Sequence, residues 1–365
     1  MKIVRLRTGI IHIPLKKPFK TALRIVEYIE DVIVSIETDT GLVGFGEAPP
    51  TASITGDSIE SIIYVIENSI KKEIVGMDLD NLESLLTSVD FSTVGNTSAK
   101  AAVNIALYDL WGKMLVKPIY QILGGYRKEL VTDITISIGD PPEMASDAVE
   151  AVKAGYLTLK IKVGGDGITD IQRMKAIRKA VGLGVNLRID VNQAWNAKEA
   201  VSNLRAMEDE GLDIELVEQP TPAHDLEGLK YVTENTSIPV VADESVFSPT
   251  DALTIMESRA ADMVNIKLMK TGGLHRALEI CNIAERFGME CMVGCMLEGK
   301  ASVAAAVHLA AAKKVVTKID LDGPLLGKED PMAGGPVFIA PRILLNDTPG
   351  FGITKIHGVR WKGEK

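Results

Sequence analysis

Residues 157–163 read LTLKIKV. A short run rich in Leu, Ile and Val, with no Gly or Pro inside it, predicts a strand. Two of its residues are lysines, Lys160 and Lys162. At a spacing of two they point to the same face, and buried charge is costly unless carboxylates or a metal site lie beside it. The same texture recurs outward from this segment. TDITIS at 132–137 precedes it; NLRIDVN at 186–192, IELVEQP at 214–220, PVVADES at 239–245, MVNIKLM at 263–269, MECMVG at 289–294 and KIDLDG from Lys318 follow. Successive segments start 24 to 29 residues apart, the length of one βα unit. Helical stretches such as EMASDAVEAVKAG, AKEAVSNLRAMEDEG and GGLHRALEICNIAERFG fill the gaps. Eight mostly apolar strands with helices between them predict an α/β fold, a TIM-type barrel rather than an open doubly wound sheet.

Charged residues fall at the carboxyl ends of these strands, where a barrel keeps its active site. Asp190, Glu218, and Asp243 with Glu244 end three consecutive segments; Lys267 sits in the next, and Asp320 and Asp322 share one side of the last. A single such carboxylate is well explained as a helix cap, but charges on five successive strands are not. Asp190, Glu218 and Asp243 form an all-oxygen cluster whose members repel unless a cation neutralises them. Hard oxygen ligands without Cys or His favour Mg²⁺, with Mn²⁺ as the alternative, over zinc. Asn192, Gln219, Glu244 and Asn265 are candidates to orient those ligands. Lys162 and Lys267 approach from nearly opposite strands. Burial, the cation and the second lysine are expected to lower their pKa toward that of a general base. Two bases on opposite faces of a carbon beside a carboxylate are what a racemisation needs.

The rest of the chain frames the barrel. MKIVRLRTGIIHI and DVIVSIETDTG alternate, and residues 31–47 predict a hairpin. The polar segments 16–24 and 49–57 are expected to be mobile loops that close over the substrate. Residues 58–123 have helical rhythm, densest in the Ala-rich stretch 98–115. We assign 1–125 to an N-terminal α+β capping domain, 126–323 to the barrel and 324–365 to a segment that returns to the cap.

Composition excludes other classes. With 40 basic and 49 acidic residues, net charge −9, the chain lacks the basic footprint of a nucleic-acid binder. No segment is apolar and long enough for a membrane span, and the N-terminus is not a signal peptide. The sequons at Asn96 and Asn235 are therefore read as chance matches and the location as cytoplasmic. Cys281, Cys291 and Cys295 make no disulfide framework and are read as buried thiols. LMKTGGLHRA at 268–277 lacks the order of a phosphate-binding loop. The five His complete no metal or triad pattern.

Taken in order, Lys160-Ile161-Lys162, Asp190-Val191-Asn192, Glu218-Gln219-Pro220, Asp243-Glu244-Ser245 and Asn265-Ile266-Lys267 resemble the enolase superfamily, muconate-lactonizing-enzyme subgroup, over essentially the whole chain. A lysine or histidine base working with Mg²⁺ is a property of that superfamily at large. The resemblance implies a modified (β/α)7β barrel with an N-terminal capping domain completed by the C-terminal tail. It implies Asp190, Glu218 and Asp243 as Mg²⁺ ligands, Lys162 and Lys267 as the acid/base pair, and Lys160 as the group polarising the substrate carboxylate. Within the subgroup, Asp320-Leu321-Asp322 resembles the pair that holds the α-ammonium in dipeptide epimerases, including the L-Ala-D/L-Glu type. Thr135, Met296 and Glu298 resemble pocket positions, and Arg24 resembles a capping-loop arginine that meets a glutamate side chain.

The expected function is Mg²⁺-assisted epimerisation at the C-terminal residue of an L,L-dipeptide, with a small-molecule partner and a homo-oligomeric assembly. The alternatives are an o-succinylbenzoate synthase or muconate-type cycloisomerase, whose substrates carry no ammonium for Asp320 and Asp322. More distant are a Schiff-base aldolase, which leaves the carboxylates idle, and a non-catalytic binding barrel, which leaves the strand lysines unexplained.

Overall fold

The computed structural model describes residues 1–20 and 25–364. Three long antiparallel strands come first: β1 (Ile3–Lys20), β2 (Ile25–Thr38) and β3 (Val43–Ala48). β2 and β3 are the expected hairpin, closed where Thr38 N–H donates to Leu42 O at 3.0 Å. Residues 16–20 are strand rather than loop, a correction to the sequence reading. They continue β1 and pair with β2 through Phe19↔Val26 and Lys20↔Ile25, after a register shift beyond Pro14. The arm projects past the core, so its residues are exposed or half-buried and polar, and composition alone made them look like a loop. The other polar segment, 49–57, is turn-rich but tied down. Asp57 is buried, and its Oδ2 accepts the Ser98 N–H at 3.0 Å, capping the distant helix Thr97–Met114.

That helix, Thr97–Met114, is buried around most of its circumference and lies on the sheet. The contact is close because two strand residues have no side chain. A Cβ at Gly44 would fall 2.3 Å from Ala106 O, and one at Gly46 would fall 1.9 Å from Ala102 O. Gly46→Ala is therefore expected to destabilise the protein by about 1–3 kcal/mol, the usual cost of overpacking. An unchanged Tm would refute this account of the packing.

After a short strand β4 (Glu129–Val131), the barrel follows. Its strands are β5 (Ile134–Ile136), β6 (Thr158–Lys162), β7 (Asn186–Asp190), β8 (Ile214–Glu218), β9 (Val240–Ala242), β10 (Met263–Ile266), β11 (Glu290–Gly294) and β12 (Val316–Asp320). All pair in parallel, in sequence order. The ring closes between its first and last strands, where Leu321 N–H donates to Thr132 Oγ1 at 2.8 Å and Asp133 N–H to Ile319 O at 3.4 Å. The eight strands are those read from the sequence, and the fold is the modified (β/α)7β barrel. The tail forms β13 (Met332–Gly334), β14 (Val337–Ile339), β15 (Arg342–Leu344), β16 (Ile353–Ile356) and β17 (Arg360–Trp361). β15 pairs with β4, and β17 returns to pair with β1 through Gly9↔Trp361, completing the capping sheet. With few aromatics, the interior is filled by Ile, Val, Leu, Ala and Met.

Candidate active site

Parallel register does the assembling. Lys162 at the end of β6 lies level with Asp190 at the end of β7, and Asp190 lies level with Glu218 at the end of β8. Asp243 follows β9, Lys267 follows β10, and Asp320 ends β12. All are buried at the mouth of the ring. Lys160 Nζ lies 2.7 Å from Asp320 Oδ2, 2.8 Å from Glu218 Oε2 and 3.0 Å from Asp190 Oδ2. Lys162 Nζ lies 2.6 Å from Asp190 Oδ2 and 3.2 Å from Asn192 Oδ1. Lys267 Nζ lies 2.6 Å from Asp243 Oδ2 and 3.8 Å from Glu218 Oε1.

A fourth lysine escaped the sequence reading. Lys270 is fully buried; its Nζ lies 2.5 Å from Asp243 Oδ1 and donates to the carbonyls of Asp243 and Asn265. It sits in the short helix Leu268–Thr271, beyond the strand pattern that marked the others. Four ammonium groups thus face six carboxyl groups, those of Asp190, Glu218, Asp243, Glu244, Asp320 and Asp322. Burial works against ionisation of Asp190, but Lys160 and Lys162 hold it well below the usual carboxylate range. Asp243 is held down likewise, by Lys267 and Lys270 against burial. The surplus acids go the other way. Burial, then Asp190 and Asp243, push Glu218 up to about 7; burial, Asp243 and Asp190 do the same to Glu244; burial and Asp320 push Asp322 up to about 6.

At Lys267 the expected lowering of the lysine pKa is not what the protein's own groups produce. Burial lowers Lys267, but the Asp243 carboxylate outweighs it and the net shift is upward. Lys160 is raised in the same way by Asp190, Asp320 and Glu218.

The residues fit a divalent cation by charge and by donor chemistry. Two unbalanced negative charges are the complement of one M²⁺, and the donors are hard oxygens. Glu218 Oε2 and Asp243 Oδ1 are buried and contacted only by ammonium groups, Lys160 at 2.8 Å and Lys270 at 2.5 Å, without a well-aligned hydrogen bond. Among the described residues, no three His, Cys, Asp or Glu groups yet converge as a ligand set. The ammonium of Lys160 lies between the carboxylates instead.

The polar residues beside these acids bond to them or to the loops that carry them. Asn265 Nδ2 donates to Glu218 Oε1 at 2.9 Å. Gln219 Oε1 accepts the N–H groups of Asp243 (2.8 Å) and Ser245 (3.2 Å), while its Nε2 donates to Ser245 Oγ (2.8 Å) and Thr221 O (3.0 Å). Asn192 Nδ2 donates to Glu244 Oε1 at 3.2 Å. Asn192 and Gln219 hold these positions with φ of 46° and 35°, strain that clusters at functional sites.

The cavity above is lined by Lys160, Lys162, Lys267, Asn192, Glu244, Asp320, Asp322, Thr135 and Met296, with Cys295 and Leu297 from the loop after β11. Phe19 of the β1 arm, Thr51, Ser53 and Ile54 of the 49–57 segment, and Leu326 complete it. Thr135 N–H donates to Asp322 Oδ2 at 2.8 Å. Three expectations need correction or qualification. Glu298 does not line the cavity, because its Oε1 turns back to accept the Met296 N–H at 2.9 Å. Cys295 is half-buried in the cavity wall rather than a core thiol; Cys281 and Cys291 are buried. Arg24 lies outside the described residues. A neighbouring cleft shares Phe19, Thr135 and Leu326 with the cavity and is walled by Ile134, Ile136, Ala151 and Tyr156, with Lys17, Lys20, Asp147 and Glu150 among its polar residues.

Known proteins of similar sequence place this arrangement. The model described as mandelate racemase/muconate lactonizing enzyme, N-terminal domain, matches residues 6–124, and that described as enolase C-terminal domain-like matches 143–356. The L-Ala-D/L-Glu epimerase of Clostridium acetobutylicum is 60% identical over 96% of this chain and 98% of its own length. The substrate-liganded structure of the L-Ala-D/L-Glu epimerase from Bacillus subtilis superimposes with a TM-score of 0.96 at 51% identity, covering 98% of this chain and 99% of that one. The dipeptide epimerase of Enterococcus faecalis V583, complexed with Mg and L-Leu-L-Tyr, gives 0.94 at 45% identity, covering 97% of this chain and 100% of that one.

Proposed function

Because the chain belongs to the mandelate racemase/muconate lactonizing enzyme family of the enolase superfamily, we propose that it is a Mg²⁺-dependent dipeptide epimerase that inverts the α-carbon of the C-terminal residue. The observation that carries this reading is the pair of lysines, Lys162 and Lys267. They reach one cavity from the second and sixth of eight barrel strands, with the carboxylate cluster between them.

Asp190, Glu218 and Asp243 would hold the metal. Bound Mg²⁺ supplies positive charge where negative charge develops on the substrate carboxylate. Lys162 and Lys267 act as the two bases, one taking the α-proton through its Nζ and the other returning a proton to the far face. Lys160 is bound by three carboxylates, Asp190, Glu218 and Asp320, and is placed as a fixed donor toward the substrate carboxylate. Asp320 and Asp322 face the cavity together and suit the α-ammonium of the N-terminal residue, which wants paired carboxylates in a dry mouth. That pair disfavours the cycloisomerase and o-succinylbenzoate readings. L-Ala-D/L-Glu is our first substrate.

An L,L-dipeptide library with Mg²⁺ in deuterated water tests this. Deuterium is expected at the α-carbon of the C-terminal residue together with L,D product; absence of exchange in every dipeptide refutes the function. Asp322→Asn is expected to raise KM for a free dipeptide by about 10- to 100-fold, the scale of a hydrogen bond to a charged group. An N-acetylated dipeptide should show no such change. Equal effects on both would remove Asp322 from ammonium binding.

A further inference from the structure

A second set of buried acids joins the cap to the barrel. Asp31 is on β2, Glu47 is on β3 and Glu298 follows β11; all three are at least nine-tenths buried. Asp31 Oδ2 accepts the Gly299 N–H at 3.0 Å. Glu47 Oε2 accepts the Ser302 N–H at 3.0 Å and its hydroxyl at 3.3 Å, at the first turn of the helix Lys300–Ala312. Glu298 Oε1 holds the Met296 N–H. Asp31 and Glu47 meet at Gly299: Asp31 Oδ2 takes its N–H, and Glu47 Oε1 lies 2.2 Å from where a Cβ on that glycine would stand. Glu47 Oε1 and Glu298 Oε2 find no donor among the described residues. Lys267 bears on the trio through Glu298, and Lys300, on the adjoining helix, turns away to Asp330 and the Met332 carbonyl. Buried acids so poorly matched by cations are expected to retain protons.

We propose that Asp31, Glu47 and Glu298 form a proton-holding joint that fixes the capping sheet to the start of the helix Lys300–Ala312 and thereby sets the cavity wall at Met296 and Leu297. Its effect on substrate rests on the epimerase reading; its effect on stability does not. The trio acts as positioning residues. With the acids protonated, cap and barrel are held by the Gly299, Ser302 and Met296 contacts. When the proton is lost, like charges repel across the joint and the wall loosens. Burial pushes Glu47 up to about 7, and burial with Glu47 pushes Asp31 up as well. Because the folded pKa of Glu47 exceeds its ordinary value of 4.5, the stability it contributes is full below about 4.5 and is lost as pH rises through about 7.

Glu47→Gln tests the joint. The amide keeps an acceptor for Ser302, offers a donor to Asp31 and has no proton to lose. In Mg²⁺-saturated protein, the variant and wild type should melt together near pH 5, and the variant should melt a few degrees higher at pH 8. Wild-type KM should rise roughly 5-fold between pH 6 and 8, a positioning-sized effect, and stay flat in the variant, with the pH profile of kcat the same in both. A Tm difference that does not change with pH, or a KM rise that persists in the variant, overturns the joint. If Glu47→Gln does not fold, Asp31→Asn carries the same expectations, and carboxyl NMR of wild type decides: no buried carboxyl titrating near pH 7 overturns the proposal. Protein that epimerises nothing yet shows the pH-dependent Tm gap would sink the function while keeping the joint.

Discussion

Lys267→Ala and Lys162→Ala are each expected to lose epimerisation by about 100- to 10,000-fold, the share of rate a positioned acid or base supplies. The loss should be asymmetric in a way that a general structural defect cannot imitate. With one lysine gone, the other still faces one side of the α-carbon, so the epimer presenting its proton to that side should continue to exchange with solvent. In deuterated water, Lys162→Ala should wash deuterium into one epimer and Lys267→Ala into the other, with no conversion between them. Lys160→Ala is expected to behave differently: it frees Asp190, Glu218 and Asp320 from their shared ammonium, so both exchanges should fall together. Exchange of the same epimer in both Lys162 and Lys267 variants, or normal conversion in either, removes the two-base arrangement.

What the sequence made legible follows from strand geometry. A parallel strand alternates with period two and its unit repeats every 24 to 29 residues here, so Lys160, Lys162, Asp190, Glu218 and Asp320 were placed by counting. Lys270 obeys neither rule. It reaches Asp243 from a helical turn three residues past Lys267, and only the fold brings it back. Glu298 shows the opposite failure: motif position put it at the pocket, but its carboxylate is recruited by the Met296 N–H. Asp31 and Glu47 lay in an ordinary alternating hairpin, and nothing local says that their partners lie more than 250 residues away. The arm at 16–20 misled because polar residues on a projecting hairpin have the composition of a loop.

Chelation of the protein is expected to abolish epimerisation, lower Tm and be reversed by added Mg²⁺, which at a hundredfold excess over Kd stabilises by about 2.7 kcal/mol. The ligand variants then separate by what each carboxylate does without metal. Asp243 is the partner of both Lys267 and Lys270, so Asp243→Asn leaves two buried ammonium groups short of charge. Removing one side of a buried pair costs about 3–5 kcal/mol, and that variant should be unstable with or without Mg²⁺. Glu218 is part of the surplus: its Oε2 lies 2.8 Å from Lys160, which Asp190 and Asp320 already neutralise, and its Oε1 is 3.8 Å from Lys267. Replacing it with a neutral amide relieves repulsion in the metal-free cluster while removing a ligand. Metal-free Glu218→Gln should therefore melt at or above metal-free wild type, yet gain almost nothing from Mg²⁺ and remain inactive. A Glu218→Gln protein that Mg²⁺ stabilises as fully as wild type would mean that the cation is held elsewhere, and the assignment of these three strand ends as its ligands would fall.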